Sequence, residues 1–232
     1  MARASFYKIT ILAFSTLAAG HAVAASTTYG GVEFPGGDIS FADSVVSYDP
    51  NFSDGSVPSE PNSDADNALG APQVAGSTNV GACQTVGVCD FVSLGAGGQL
   101  ILEFTDNFLT GSNDSSADLW IFEVGADVED TVVDISINGD DWLNVGQVGG
   151  STSGIDIDAF GYDATWLFSF VRLTDVLNEG QTAGISVGAD IDAVGAITTV
   201  PVSEVPLPAA AWLFLSAIGG AGLMRKRLGR SS

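Results

Sequence analysis

Between Ser26 and Glu204 the chain has no lysine and no histidine, and Arg172 is its only basic residue. Those absences remove whole classes of chemistry. Without histidine there is no Ser-His-Asp triad, no Cys-His pair and none of the usual histidine-bearing zinc sites, and without lysine there is no Schiff-base nucleophile. Cysteine is scarce too, with Cys83 and Cys89 the only two in the protein. No amphipathic helix of ordinary length can be traced from Ser26 to Val200, and no stretch has the EF-hand spacing. Acid is what abounds. All 28 acidic residues fall between Glu33 and Glu204, and against Arg172 they leave that interval with a formal charge of −27. Nucleic acid and anionic surfaces are poor partners for such a surface, and divalent cations are good ones. High charge can keep a chain unfolded, but abundant Val, Ile, Leu, Phe and Trp supply core material here. With both ends set aside, one domain of ordinary size remains.

The two ends have their own composition. Arg3 and Lys8 precede an apolar run from Ile9 to Ala19, followed by the small residues Ala22-Val23-Ala24. This pattern predicts a secretory signal peptide over 1–25, cleaved after Ala24 or Ala25, so that His21 leaves with it. At the other end Val205-Pro206-Leu207-Pro208 leads into an apolar run from Ala209 to Met224, then Arg225, Lys226, Arg227 and Arg230. Counted from Val205, the run reaches the roughly 20 residues that a bilayer core demands. The basic cluster belongs on the cytoplasmic side, which puts everything before Val205 outside.

These C-terminal features together resemble the PEP-CTERM sorting signal. Leu207 stands where that family has Glu between the two prolines. The resemblance implies processing by an exosortase during export to the cell surface or extracellular matrix, with signal peptidase acting at the N-terminal end. An ordinary C-terminal membrane anchor is the plainer reading of the same residues. The expected organisation is a signal peptide (1–25), a lead segment (26–41), a β-sandwich domain (42–199), a linker with the Pro-Leu-Pro motif (200–208), a transmembrane sorting helix (209–224) and a basic cytoplasmic tail (225–232).

Within the central part the periodicity is that of strands. Gln99 to Thr105 sets Leu100, Leu102 and Phe104 against Gln99, Ile101, Glu103 and Thr105, and Asp118 to Val124 alternates in the same way. Both could be buried on two faces. Val132 to Ile137 leads through Asn138-Gly139, a strong hairpin signal, into Trp142 to Val148. Ser44 to Tyr48, Trp166 to Leu173 and Ile191 to Ile197 supply further strands, separated by turns rich in Gly and Asp. Asp49 to Asp66 is expected as a long surface loop, and Asp66 or Asn67 as the cap of a single helical turn or a metal ligand. An all-β fold follows, an antiparallel β-sandwich.

Several phrases carry a second resemblance. Asn67-Ala-Leu-Gly-Ala-Pro72, Ser93-Leu-Gly-Ala-Gly-Gly98, Asp118-Leu-Trp-Ile-Phe-Glu123, Asn138-Gly-Asp-Asp-Trp142, Phe170-Val-Arg-Leu-Thr-Asp175 and Gly188-Ala-Asp-Ile-Asp-Ala-Val-Gly195 are similar to the galactose-binding-like jelly rolls related to discoidin domains. That resemblance implies a sandwich of about eight strands whose loops at one end bind glycans or other surface ligands, often with a structural calcium ion.

The candidate sites follow from this frame. Asp156-Ile157-Asp158-Ala159 is echoed by Asp190-Ile191-Asp192-Ala193, and on a strand each pair of aspartates would share a face. If the two pairs met, with Glu123 nearby, they would offer the hard oxygen ligands that Ca²⁺ takes; the bland alternative is solvated aspartates at strand ends. Arg172 invites a salt bridge to Glu123 or Asp118, or else a contact with a sugar hydroxyl. Cys83 and Cys89, in an exported segment, suit a disulfide closing a short loop. Trp142 and Tyr162, with Tyr48 and Phe52, are aromatics near turns that either stack on sugar rings or pack in the core.

Three functions are open at this level. The first is a non-catalytic surface or matrix protein contacting exopolysaccharide or matrix proteins, and the second a calcium-dependent carbohydrate-binding module. The third, a carboxylate glycoside hydrolase, needs only two placed acids, but a sandwich with few long loops gives little room for a deep cleft.

Overall fold

A computed structural model describes residues 25–73, 91–125, 129–180 and 182–202. The strands in chain order are β1 (Thr27–Tyr29), β2 (Val32–Phe34), β3 (Ser44–Asp49), β4 (Val92–Ser93), β5 (Gln99–Glu103), β6 (Asn107–Leu109) and β7 (Leu119–Glu123). They continue with β8 (Asp130–Ser136), β9 (Leu143–Gly149), β10 (Thr152–Ile155), β11 (Phe170–Asp175), β12 (Asp190–Ala196) and β13 (Thr199–Pro201). Every strand pairing is antiparallel. One sheet has the order β3-β5-β11-β8-β9 and a second the order β10-β7-β12-β4; β1-β2 and β6-β13 form two small pairs. Helical structure among the described residues is limited to short 3-10 turns, and none of it is long and apolar enough to cross a membrane.

The two large sheets enclose one core. From the five-stranded sheet come Leu100, Leu102, Val133, Ile135, Val171 and Leu173, and from the four-stranded sheet Leu119, Ile121, Ile191 and Val194, all 2% exposed or less. Each such side chain contributes on the order of 1.5–3 kcal/mol by leaving water. Strand β11 alternates half-buried with buried residues along its length, as a strand with one face on the core must. The packing of antiparallel sheets around this core is that of a β-sandwich.

The two sheets differ in how their outer faces are treated. The outer side of β5 is only half-buried, so the expectation of burial on both faces fails there. For β7 it holds except at half-buried Trp120, and β12 is buried along its whole length as well. Phe34, Phe41, Phe122 and Ala193 make a second apolar cluster, joined by Tyr29 and Trp120. Gly195 is what lets the rings down onto the sheet: a Cβ there would stand 2.7 Å from Phe41 and 2.8 Å from Phe34. The stretch 26–41, expected as a lead segment, therefore supplies the cover for an outer sheet face.

The β8–β9 hairpin forms where the Asn-Gly pair was read. Asn138 accepts from the amides of Asp140 and Asp141, the Ser136 hydroxyl accepts from those of Asn138 and Gly139, and Gly139 takes a φ of 79°. The single helical turn also exists, over Ala65–Ala68, but its cap is Asp64, which accepts from the Asp66 amide. Cys83, Cys89, the signal peptide and the whole sorting segment, with Val205, Pro206, Leu207, Pro208, Arg225, Lys226 and Arg227, lie outside the described residues.

Candidate metal centre

Strand β7 is preceded by one acid and ends in another, and its length sets the two at opposite ends of the sandwich. Asp118 stands just before it. The Asp118 amide donates to the Ile155 carbonyl and its carbonyl accepts from the Ile197 amide, so the residue is clamped between β10 and β12. Its side chain is fully buried. One carboxylate oxygen accepts from the Ile157 amide at 3.0 Å and the other from the Thr198 hydroxyl at 2.8 Å.

Asp156 and Asp158 reach the same place from a turn, not from a strand. β10 stops at Ile155, Ile157 takes a helical backbone, and a 3-10 turn over Asp158–Phe160 ends on Gly161 with a φ of 91°. The expectation that a strand sets both aspartates on one face is thus corrected. Ile157, fully buried between them, is the anchor, and the turn swings both carboxylates toward Asp118. One oxygen from each of Asp118, Asp156 and Asp158 lies within 4.8 Å of the other two.

The loop after β6 closes over this group. Asp158 accepts from the Ser112 hydroxyl at 3.3 Å and the Asn113 amide at 3.0 Å, and Asn113, in a left-handed backbone with a φ of 63°, accepts from the Ala164 amide. Gly111 must lack a side chain, since a Cβ would come within 2.3 Å of the Tyr162 carbonyl oxygen and 2.8 Å of an Asp158 oxygen. Burial raises the pKa of Asp118, and the charge of Asp158 adds to the rise, against the lowering effect of its hydrogen bonds from Thr198, Ile157 and Ser112. Two carboxylates about 5 Å apart repel by roughly 3 kcal/mol at an effective dielectric of about 20. A cation would relieve that repulsion. The spacing also fits, because two oxygens on one Ca²⁺ at about 2.3–2.6 Å cannot be more than about 5 Å apart. The triad could therefore hold a metal ion.

The other expected ligands are at the far end of β7. Asp118 and Glu123 are separated by five residues of strand, about 16 Å, and the register places Ile191 opposite Glu123 but Ala196 opposite Leu119. The two Asp-Ile-Asp-Ala repeats therefore do not meet. A bulge in β12 between Ile191 and Ala193 also breaks the alternation of the second repeat. Asp190 accepts from the hydroxyls of Ser93 and Ser186, and Asp192, also buried, accepts from the Gln73 amide. Glu123 accepts from the Glu129 amide at 3.1 Å. Burial pushes the Glu123 carboxyl up to about 9 and that of Asp190 up to about 7. With no cation beside it, Glu123 so buried would hold its proton at neutral pH.

Arg172 pairs with neither Glu123 nor Asp118. Its partner is Asp134, directly across on β8, reached by Nε at 3.1 Å and Nη2 at 3.0 Å. The other Asp134 oxygen accepts from the Asn144 amide group. The Trp142 ring lies 4.4 Å from the guanidinium carbon, which makes Trp142 a packing partner of this ion pair. Tyr162 is half-buried and meets Trp166 and Phe168 edge to face at 5.5 Å each. Asp118 as a triad member is what the sequence reading missed. Its only local mark was an acid at the start of an apolar strand, and the contact that defines its role is made 39 residues away.

No protein-family model, curated protein or solved structure matches the chain.

Proposed function

We propose that this is a non-catalytic module of the cell surface or extracellular matrix, stabilised by calcium at Asp118, Asp156 and Asp158. The observation that carries the reading is the convergence of those three carboxylates within 4.8 Å of one another in a stretch whose only basic residue, Arg172, is spent on Asp134. Oxygen-only donors of this kind suit a hard divalent ion, and the adjacent Tyr162 carbonyl and Ser112 hydroxyl are of the right type to complete its shell. A jelly roll of the galactose-binding-like kind agrees with the two antiparallel sheets. Export rests on the sequence: the signal-peptide pattern, and the Val205 to Arg230 segment as an exosortase substrate.

Calcium titration of the metal-stripped protein by calorimetry tests the first part. Binding lost in Asp156→Asn and Asp158→Asn is expected, and no heat of binding in the parent overturns it. Mass spectrometry of the mature protein, from cells with and without the sorting protease, tests the second. An intact tail through Ser232 in both would rule out processing.

A further inference from the structure

β6 and β13 stand apart from both large sheets as a pair of three-residue strands. A two-stranded ribbon is marginal by itself in water, and β13 buries little: Thr199 is half-buried, while Val200 and Pro201 are exposed. What fastens the pair lies at the triad. We propose, on the calcium reading above, that a cation on Asp118, Asp156 and Asp158 clamps β6 to β13, so that calcium controls whether the last described strand stays docked on the domain.

Each strand of the pair is tied to a different carboxylate. On the β13 side, the Thr198 hydroxyl donates to the Asp118 side chain at 2.8 Å, and the Ile197 amide donates to the Asp118 carbonyl at 2.7 Å. On the β6 side, the Ser112 hydroxyl and the Asn113 amide donate to Asp158 at 3.3 and 3.0 Å. Carboxylates that repel one another push those two tethers apart, and a divalent ion between them draws both in. Across the pair itself the Asn107 amide group donates to the Thr199 hydroxyl at 2.6 Å, and the Val202 amide donates to the Asp106 carbonyl at 2.8 Å.

A second observation points to an ion here. Thr110 is 3% exposed, and its hydroxyl has no hydrogen-bond partner among the described residues. The register of β6 and β13, continued by one residue, sets Thr110 opposite Thr198, and the Thr110 amide donates to the Thr198 carbonyl at 3.1 Å. Opposite residues of an antiparallel pair share a face, so this hydroxyl stands on the side from which Thr198 reaches Asp118. A neutral hydroxyl oxygen can complete a calcium shell alongside carboxylates. With both strands tied to the ion's ligands, opening the pair requires the ion to leave. Residues 199–202, once released, add about 13 Å of reach between the domain and Pro206.

The test is hydrogen exchange on the full chain in detergent, in EDTA and then in Ca²⁺ at a hundredfold excess over the dissociation constant that calorimetry gives. Exchange of the Thr199, Val200 and Val202 amides should slow by about a hundredfold, because opening then has to displace the ion. β3, an edge strand that carries none of these tethers, should slow much less. Thr198→Val removes the hydroxyl that ties β13 to Asp118 and keeps all three carboxylates. At the same excess over its own dissociation constant, the slowing at β13 should fall to about tenfold or less, and in Asp158→Asn it should vanish. Slowing at β13 no larger than at β3, or undiminished in Thr198→Val, overturns the proposal while calcium binding in the parent stands. No heat of binding in the parent removes both.

Discussion

Where β7 begins, Asp118, Asp156 and Asp158 lie within reach of one another and keep two of their three side chains half open to solvent; where it ends, Glu123 and Asp190 are shut away, 2% and 6% exposed. The same residue types therefore meet two treatments of charge. At the closed end, protonation removes it: burial lifts Glu123 to about 9 and Asp190 to about 7. Asp175, also buried there, is held by the amides of Gly97 and Ala189 at 2.7 and 2.8 Å, although burial still raises its pKa. At the open end Asp156 and Asp158 stay close to buried Asp118 while keeping access to water, an arrangement a divalent ion can neutralise. Burial and donor supply decide which solution an acidic cluster takes.

The largest expected effect breaks this comparison at the closed end. The unfolded chain releases the Glu123 proton near 4.5 and the Asp190 proton near 3.8, whereas the folded protein holds them to about 9 and about 7. Between those values the folded state binds more protons, so stability falls as pH rises. It is fully present below the unfolded values and lost as pH climbs through 7 and toward 9. Urea unfolding in EDTA should show a decline of roughly several kcal/mol between pH 5 and 8. Glu123→Gln, which cannot ionise, should flatten the slope. An unchanged slope would place the pH dependence in the general surface charge.

Next comes Asp175→Ala. It leaves the buried amides of Gly97 and Ala189 without their acceptor, at a cost of about 3 kcal/mol, read as a lower urea midpoint at unchanged m-value. A loss under about 1 kcal/mol would mean that water replaces the carboxylate. At the open end, Ca²⁺ at a hundredfold excess over its dissociation constant should add about 2.7 kcal/mol. That gain should vanish in Asp158→Asn and survive in Glu123→Gln, a crossed result that sharpens the distinction between the ends. It should also shrink on acidification, because the ligands must be deprotonated. The smallest change is at mid-sheet, remote from both. Arg172→Lys gives up the planar stack on Trp142 and the paired N–H contacts to Asp134, for about 1 kcal/mol, and should leave both the pH slope and the calcium response as they were.

Much of the framework could be read before folding was considered. Leu100 and Leu102 alternate in sequence and are both fully buried, and Asn138-Gly139 does turn a hairpin. The short strands could not be read in this way. β4 has two residues and β10 four, too few for a period to declare itself, and they exist because their neighbours in the sheet offer hydrogen-bond partners. The Asp-Ile-Asp-Ala repeat shows the limit most clearly. Its first copy is a turn that delivers carboxylates to Asp118, and its second is a bulged strand whose aspartates are buried at the opposite end. Identical side chains meet different surroundings, and local spacing carries no record of which.

What the sequence by itself determined is the all-β class, the excess of acid over base and the absence of histidine and lysine chemistry from Ser26 to Glu204. Alternation and composition are properties of the covalent chain and survive any rearrangement of its elements. Tertiary structure alone decided that Asp118 joins Asp156 and Asp158, that Arg172 takes Asp134 instead of Glu123, and that Glu123 is buried where its pKa is raised. Each of these depends on what lies across a sheet or a loop crossing, because the energy of a charge is set by the donors, ions and water within a few ångströms of it.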